Sequence, residues 1–103
     1  MGDMMTISAR IPASQVEEID EIAKRRGVDR SAVIRELIAI GLREMRLREV
    51  LEEVRERRIS VWMAARKLGV TYREMLDLLK RHNVPFPLSA EDLRKELEEI
   101  GRG

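Results

Sequence analysis

The sequence of 103 residues contains no cysteine and a single histidine, His82. The lack of cysteine excludes disulfides, thiolate metal sites and cysteine nucleophiles. One histidine is too few for a histidine-based metal site or a Ser-His-Asp triad. No nucleophile–base pair and no phosphate-binding loop is visible, so we expect neither an enzyme nor a cofactor.

Long apolar runs are also missing. No stretch approaches the roughly 18 apolar residues that span a bilayer, and no signal peptide opens the chain. We therefore expect a cytoplasmic protein with no membrane partner. Asn and Gln occur once each among abundant Arg and Glu, a bias that is typical of thermophile proteins.

The sequence has few aromatic residues and almost no excess of charge of either sign. Three aromatic residues are too few for a surface that stacks nucleic-acid bases. Charged residues make up 38% of the chain, against about 25% in an average protein. However, 20 Lys and Arg face 19 Asp and Glu, which leaves a net charge of +1. Any nucleic-acid-binding surface must therefore come from how the charges are arranged.

Residues 5–11 alternate between two kinds of side chain, and this period of two predicts a half-buried strand that ends at Pro12. One face of this strand is apolar and the other is polar. The apolar face comprises Met5, Ile7, Ala9 and Ile11, and the polar face comprises Thr6, Ser8 and Arg10.

The remainder of the chain has helical periodicity. The predicted helices cover residues 13–26, 30–57, 61–68, 72–82 and about 90–100. Gly27 and Gly69 are expected to stop the first and third helices. Residues suited to N-caps precede the second to fifth helices: Asp29, Ser60, Thr71 and Ser89. The apolar stripe of the second helix changes phase after Met45, which predicts a change from one core to another.

A lone strand leaves its backbone N–H and C=O groups without partners. No second strand is visible in the first 48 residues, so we predict antiparallel pairing with a second copy of the chain. The core of this dimer would contain Ile7, Ala9, Ile11, Ile34, Leu37 and Ile38.

Four segments agree in order and length with a known family. They are residues 7–12, the pair Ile19 and Ile22, residues 26–31 and residues 33–38. Through these segments, residues 5–45 resemble the ribbon-helix-helix DNA-binding family of MetJ/Arc type. The resemblance implies a mainly helical fold with one N-terminal strand, which dimerises through an intermolecular antiparallel β-ribbon.

The resemblance also implies that the ribbon enters the major groove of double-stranded DNA. The outward residues Thr6, Ser8 and Arg10 would read bases, because Arg can bond bidentately to guanine and hydroxyls can donate or accept.

Phosphates would bind at the start of the second helix, through Arg30 and Ser31, and Lys24 is a further candidate. An acidic Asp29 at this point would repel a phosphate unless its side chain accepted a hydrogen bond from the helix.

The C-terminal half contains a second pattern. Residues 58–83 resemble a helix-turn-helix, with a small pair at Ala64-Ala65 and a turn at residues 68–71. If this half read DNA, the exposed side chains of its second helix would do so. These are Tyr72, Arg73, Asp77, Lys80 and Arg81. A protein–protein role for the same hairpin stays open.

Residues from about 44 to 100 also resemble a small family of uncharacterised antitoxin-like prokaryotic proteins. The resemblance is carried by residues 59–60, 64–65, 68–70, 75–79 and 83–85. It implies a protein toxin as a partner, with a nuclease as the usual candidate.

We interpret residues 1–46 as a ribbon-helix-helix domain for DNA binding and dimerisation, and residues 47–103 as a helical C-terminal module. The chain would act as a homodimer or higher oligomer, repressing transcription from a pseudo-palindromic operator. The alternative is an antitoxin whose C-terminal module inhibits a nuclease toxin and whose DNA binding is autoregulatory.

Overall fold

The computed structural model describes residues 2–86 and 89–102, and their regular structure consists of five α-helices. The helices are α1 (Ala13–Arg26), α2 (Arg30–Arg55), α3 (Val61–Leu68), α4 (Tyr72–Arg81) and α5 (Ala90–Arg102). All five lie where the sequence periodicity predicts them, with ends that differ by at most a few residues.

The predicted N-terminal strand and its β-ribbon are wrong. Residues 2–12 carry no strand, and no sheet occurs in the described part of the chain. The physical reason is that a strand exists only when a neighbour pairs with its backbone. The alternation of residues 5–11 describes where side chains point, but this chain offers the segment no pairing partner.

Helices α1 and α3 end at the two glycines that the sequence predicts as stops. Gly27 and Gly69 have φ angles of 66° and 68°, in the left-handed region. The amide after each glycine donates to a carbonyl five residues back, which satisfies helix-end groups. The same turn follows α2 and α4 at Arg57 and Asn83, with φ of 59° and 55°. The sequence analysis missed these two, because neither is a glycine.

Each predicted N-cap side chain accepts a hydrogen bond from the amide three residues further on. The donor amides are those of Ala32, Met63, Glu74 and Asp92, at 2.8, 3.0, 3.1 and 3.1 Å. At the start of α4 the bond is reciprocal, because the amide of Thr71 donates to the carboxylate of Glu74 at 3.1 Å. These local bonds explain why the helices begin where they do.

The chain divides into two compact units, Met1–Ile40 and Gly41–Gly103, and the division falls within α2. The predicted boundary between residues 46 and 47 stays a prediction. The first unit has a small core in which Ile19, Ala23 and Val33 are buried.

The second unit has the larger core. Its most deeply buried side chains come from the end of α2 and from α3 and α4, with Val54, Val61 and Met75 fully enclosed. Helix α5 packs on α3.

The contact between α5 and α3 is polar. The carboxylate of Glu96, which is 4% exposed, accepts hydrogen bonds from the backbone amides of Val61 and Trp62 at 2.5 and 3.1 Å. These are the first two amides of α3, which have no partner within their own helix. The Tyr72 hydroxyl donates to the same carboxylate at 3.5 Å.

Candidate nucleic-acid interface

The first unit carries an open, apolar cavity of about 450 Å³. It is formed by the N-terminal segment together with α1 and α2. Its lining side chains are Ile7, Ala9, Ile11, Ile19, Ile34, Leu37 and Ile38. The structure therefore brings together all six residues that the sequence analysis assigned to a dimer core.

Several of these cavity-lining residues lie open to solvent. Ile7 is 80% exposed, and Leu37 and Ile38 are 43% and 45% exposed. Large apolar side chains that cluster on a surface indicate a place where a partner binds. Ile19 also lines the cavity, but the sequence analysis did not assign it to the dimer core. Its helical spacing with Ile22 and Ala23 could have indicated only that it faces inward.

The polar residues of the same segment lie apart from the cavity lining. Thr6, Ser8 and Arg10 are all exposed, and none of them lines the cavity. Arg10 makes no ion pair or side-chain hydrogen bond with the residues that the structure describes. Its guanidinium is thus available to a partner outside this chain.

Arg30, predicted to bind phosphate, lies against an acid instead. Its Nε and Nη2 atoms donate to the two carboxylate oxygens of Asp20, both at 2.8 Å. This bidentate hydrogen bonding lowers the pKa of Asp20 and raises the pKa of Arg30, so both groups stay charged. The sequence analysis missed this pair, because its partners lie on different helices.

The start of α2 is otherwise open to a ligand. Ser31 is exposed, and Asp29 directs its carboxylate to the Ala32 amide at 2.8 Å. The acid therefore turns towards the helix, which is the arrangement that phosphate binding requires there. Lys24, in the last turn of α1, is exposed and has no ionic partner within residues 2–86 and 89–102.

On α4, four of the five predicted outward residues are exposed: Arg73, Asp77, Lys80 and Arg81. The fifth prediction is wrong, because Tyr72 is partly buried against Trp62, with ring centroids 6.1 Å apart. Burial and the neighbouring Glu96 carboxylate raise the pKa of Tyr72 to about 12. Tyr72 is therefore part of the packing of the second unit.

The described part of the chain contains neither a metal site nor a membrane span. Within these ranges, no group of three or more His, Asp or Glu side chains could hold a metal ion. None of the helices described here is long and apolar enough to cross a bilayer.

Comparison with known proteins gives a match to a family model and to nothing else that was compared. No curated protein and no solved structure is significantly similar to this chain. The comparisons give no support to the resemblance of residues 44–100 to an antitoxin-like family. Ribbon-helix-helix proteins are non-enzymatic, bind DNA and usually dimerise. Residues 5–44 of this chain match the family model described as ribbon-helix-helix protein, copG family.

Proposed function

We propose that the protein is a homodimeric, sequence-specific DNA-binding regulator that represses transcription. The observation that carries this proposal is the open apolar cavity of the first unit, with its free polar side chains on the neighbouring positions of the same segment. One set of residues would hold a second copy, and the other would contact DNA.

The dimer is argued from the exposed apolar side chains. The described part of the first unit buries three side chains in its core, and it leaves Ile7, Leu37 and Ile38 open to water. Covering them with the same surface of a second copy would remove apolar area from water on both sides of a two-fold axis.

The DNA contacts are argued from the free side chains. Arg10 can bond bidentately to a guanine in the major groove, a contact worth roughly 1–3 kcal/mol of discrimination. Thr6 and Ser8 can donate or accept at neighbouring bases. These three positions are proposed as the base-reading residues.

Phosphate contacts are proposed at the start of α2 and the end of α1. The Ser31 amide and hydroxyl and the Lys24 ammonium are free to bind a phosphate. Arg30 would bind a phosphate by exchanging one oxyanion, the Asp20 carboxylate, for another.

The test is selection of bound sequences from a random duplex pool, with the wild-type protein and Arg10→Ala in parallel. We expect the wild-type protein to recover an inverted repeat, since a two-fold dimer requires two-fold symmetry in its site. We expect Arg10→Ala to stay folded but to lose preference at the guanine positions.

Arg46→Ala is the matched control, because Arg46 is exposed and its substitution removes the same charge. This variant should recover the same repeat as the wild-type protein. Recovery of no preferred sequence by the wild-type protein would overturn the proposal.

The antitoxin alternative requires a bound toxin. We favour the regulator, because the cavity and the free side chains of the first unit account for DNA binding without a further protein. Co-purification of a small nuclease with the chain expressed from its own locus would favour the antitoxin.

A further inference from the structure

The helices α3 and α4 form a closely packed hairpin. Residues 69–71 join the two helices, with a left-handed Gly69 and an N-capping Thr71. Ala64 and Ala65 on α3 and Met75 and Leu79 on α4 are all buried in the same core. The outer face of α4 is therefore held in a fixed position by its own buried face.

The charges on this outer face are not neutralised. Arg66 at the end of α3 and Arg73, Lys80 and Arg81 on α4 make no ion pair with any described residue. Glu74 bonds to Thr71 as part of the helix cap, and Asp77 lies among the cations of α4 without an ion pair to any described residue. The hairpin thus presents four free cations.

Cations elsewhere in the second unit are mostly paired. Arg48, Arg55 and Lys67 bond to Glu44, Glu52 and Glu53 at 3.1, 3.0 and 3.1 Å, distances typical of ordinary surface ion pairs. Arg57 pairs with Asp92, and Arg94 pairs with Glu91 and Glu98. Four unpaired cations thus lie together on one hairpin, whereas others of the described second unit, such as Arg43 and Arg46, lie on α2.

The order of side chains along α4 suits the edges of base pairs. Arg73, Asp77 and Lys80 are spaced by four and three residues, so they lie on one face of the helix and span about 10 Å of its axis. Arg and Lys can donate to guanine, and Asp can accept from the amino group of cytosine. Asp77 would repel a phosphate, but it fits a base edge between two cations.

We propose that α4 is a second DNA-binding helix, which enters the major groove with Arg73, Asp77 and Lys80 facing the bases and with Arg66 and Arg81 near phosphates. The inference rests on the proposed DNA-binding function, and it assigns part of the binding to the second unit. An acidic protein surface would attract the same cations, and the salt dependence of DNA binding distinguishes a DNA partner from such a protein partner.

The test is the salt dependence of binding of the full-length protein to a random-sequence DNA duplex, measured by fluorescence anisotropy. Each phosphate contact contributes about 0.9 to the slope of log K against log salt concentration. In the double variant Arg66→Gln/Arg81→Gln, which removes the two cations placed near phosphates, we expect binding to weaken at least tenfold at low salt. We expect the slope to fall by about one for each phosphate that the variant no longer binds.

Two further variants make the test specific. Arg48→Gln/Arg55→Gln removes the same charge from paired cations and should keep nearly the wild-type slope. Arg66→Lys/Arg81→Lys keeps the charge and should also keep the slope. Thermal melting checks that all three variants fold.

The outcomes distinguish this inference from the proposed function. If Arg66→Gln/Arg81→Gln binds the duplex with the slope of its matched control, the hairpin of α3 and α4 does not contact DNA and serves a protein partner instead. If the wild-type protein binds no duplex at any salt concentration, the proposed function fails as well. If the double variant has a reduced slope and still selects the sequence that Arg10 reads, the result supports both this inference and the proposed function.

Discussion

At the scale of single residues, the backbone at Gly69 makes a definite prediction. Its φ of 68° is a conformation that costs an L-residue roughly 1–2 kcal/mol. We expect Gly69→Ala to lower the free energy of unfolding by about 1 kcal/mol, because the added Cβ meets no atom but strains the backbone. Urea denaturation measures this change.

Gly101→Ala is the control for Gly69→Ala. Gly101 lies within α5 and has no positive φ, and a Cβ there also meets open space. Because Gly101 is the second-last residue of α5, alanine there should raise stability by less than the roughly 0.5–1 kcal/mol expected in a helix interior. A loss of stability in both variants would show that the left-handed backbone is not the cause.

Tyr72 predicts how stability depends on alkaline pH. Burial is the main cause that raises its pKa to about 12 from 10.0. The folded state therefore holds the phenol proton more tightly than the unfolded state does. This contribution to stability is complete below pH 10, and it is lost as the pH rises from about 10 to about 12.

Ultraviolet absorbance can follow this titration directly, because Tyr72 is the only tyrosine in the chain. The stability of Tyr72→Phe should be less sensitive to pH in the same window. An ordinary tyrosine titration near pH 10 in the folded protein would contradict the prediction.

At the scale of secondary-structure elements, the sequence predicted the helices well because their signals are local. N-cap side chains, glycine stops and apolar spacing all act within a few residues, as Ser60 and Thr71 illustrate. The N-terminal strand failed because pairing is not local. The alternation at Ile7, Ala9 and Ile11 predicts one shared side correctly, since all three line one cavity, but it cannot supply a partner.

Glu96 shows the same limit at the scale of an element. In the sequence it is one acid in a charged helix, and its partners Val61 and Trp62 lie about 35 residues away. No local pattern predicts that this acid is buried. Similarly, the Asp20–Arg30 pair of the candidate site joins α1 and α2. Periodicity indicates broadly which sides of these helices face each other, but it does not predict which side chains meet.

We expect Glu96→Ala to lower the free energy of unfolding by about 1–3 kcal/mol, because it leaves one buried and one partly buried amide of α3 without an acceptor. Amide hydrogen exchange in α5 should accelerate at the same time. Glu98→Ala removes an exposed acid of the same helix and should change both quantities little. Equal effects of the two substitutions would argue against a specific role for Glu96.

At the scale of the whole molecule, the apolar cavity predicts the assembly state. Leu37→Asp should dissociate the proposed dimer, because it would bury a charge within the interface. Sedimentation equilibrium measures the assembly state. The melting temperature of the wild-type protein should also rise with its concentration, as expected when folding and association are coupled.

Leu97→Asp is the matched control for this prediction. Leu97 is 70% exposed, on α5, and lies outside the cavity. The variant should remain a dimer with the wild-type concentration dependence. Dissociation by Leu97→Asp, with Leu37→Asp unaffected, would move the interface to α5.

The pairing of Arg30 with Asp20 has a consequence for affinity. If Arg30 binds phosphate, the Asp20 carboxylate acts as a built-in competitive inhibitor, which the nucleic acid must displace at every encounter. The free energy of binding a phosphate at Arg30 is then the difference between two terms. One is the free energy with which the guanidinium binds the phosphate, and the other is the free energy with which it binds the Asp20 carboxylate. Displacing the carboxylate has the same cost for every sequence, so the internal competitor lowers every affinity by one factor, and a site needs correspondingly more contacts elsewhere to bind.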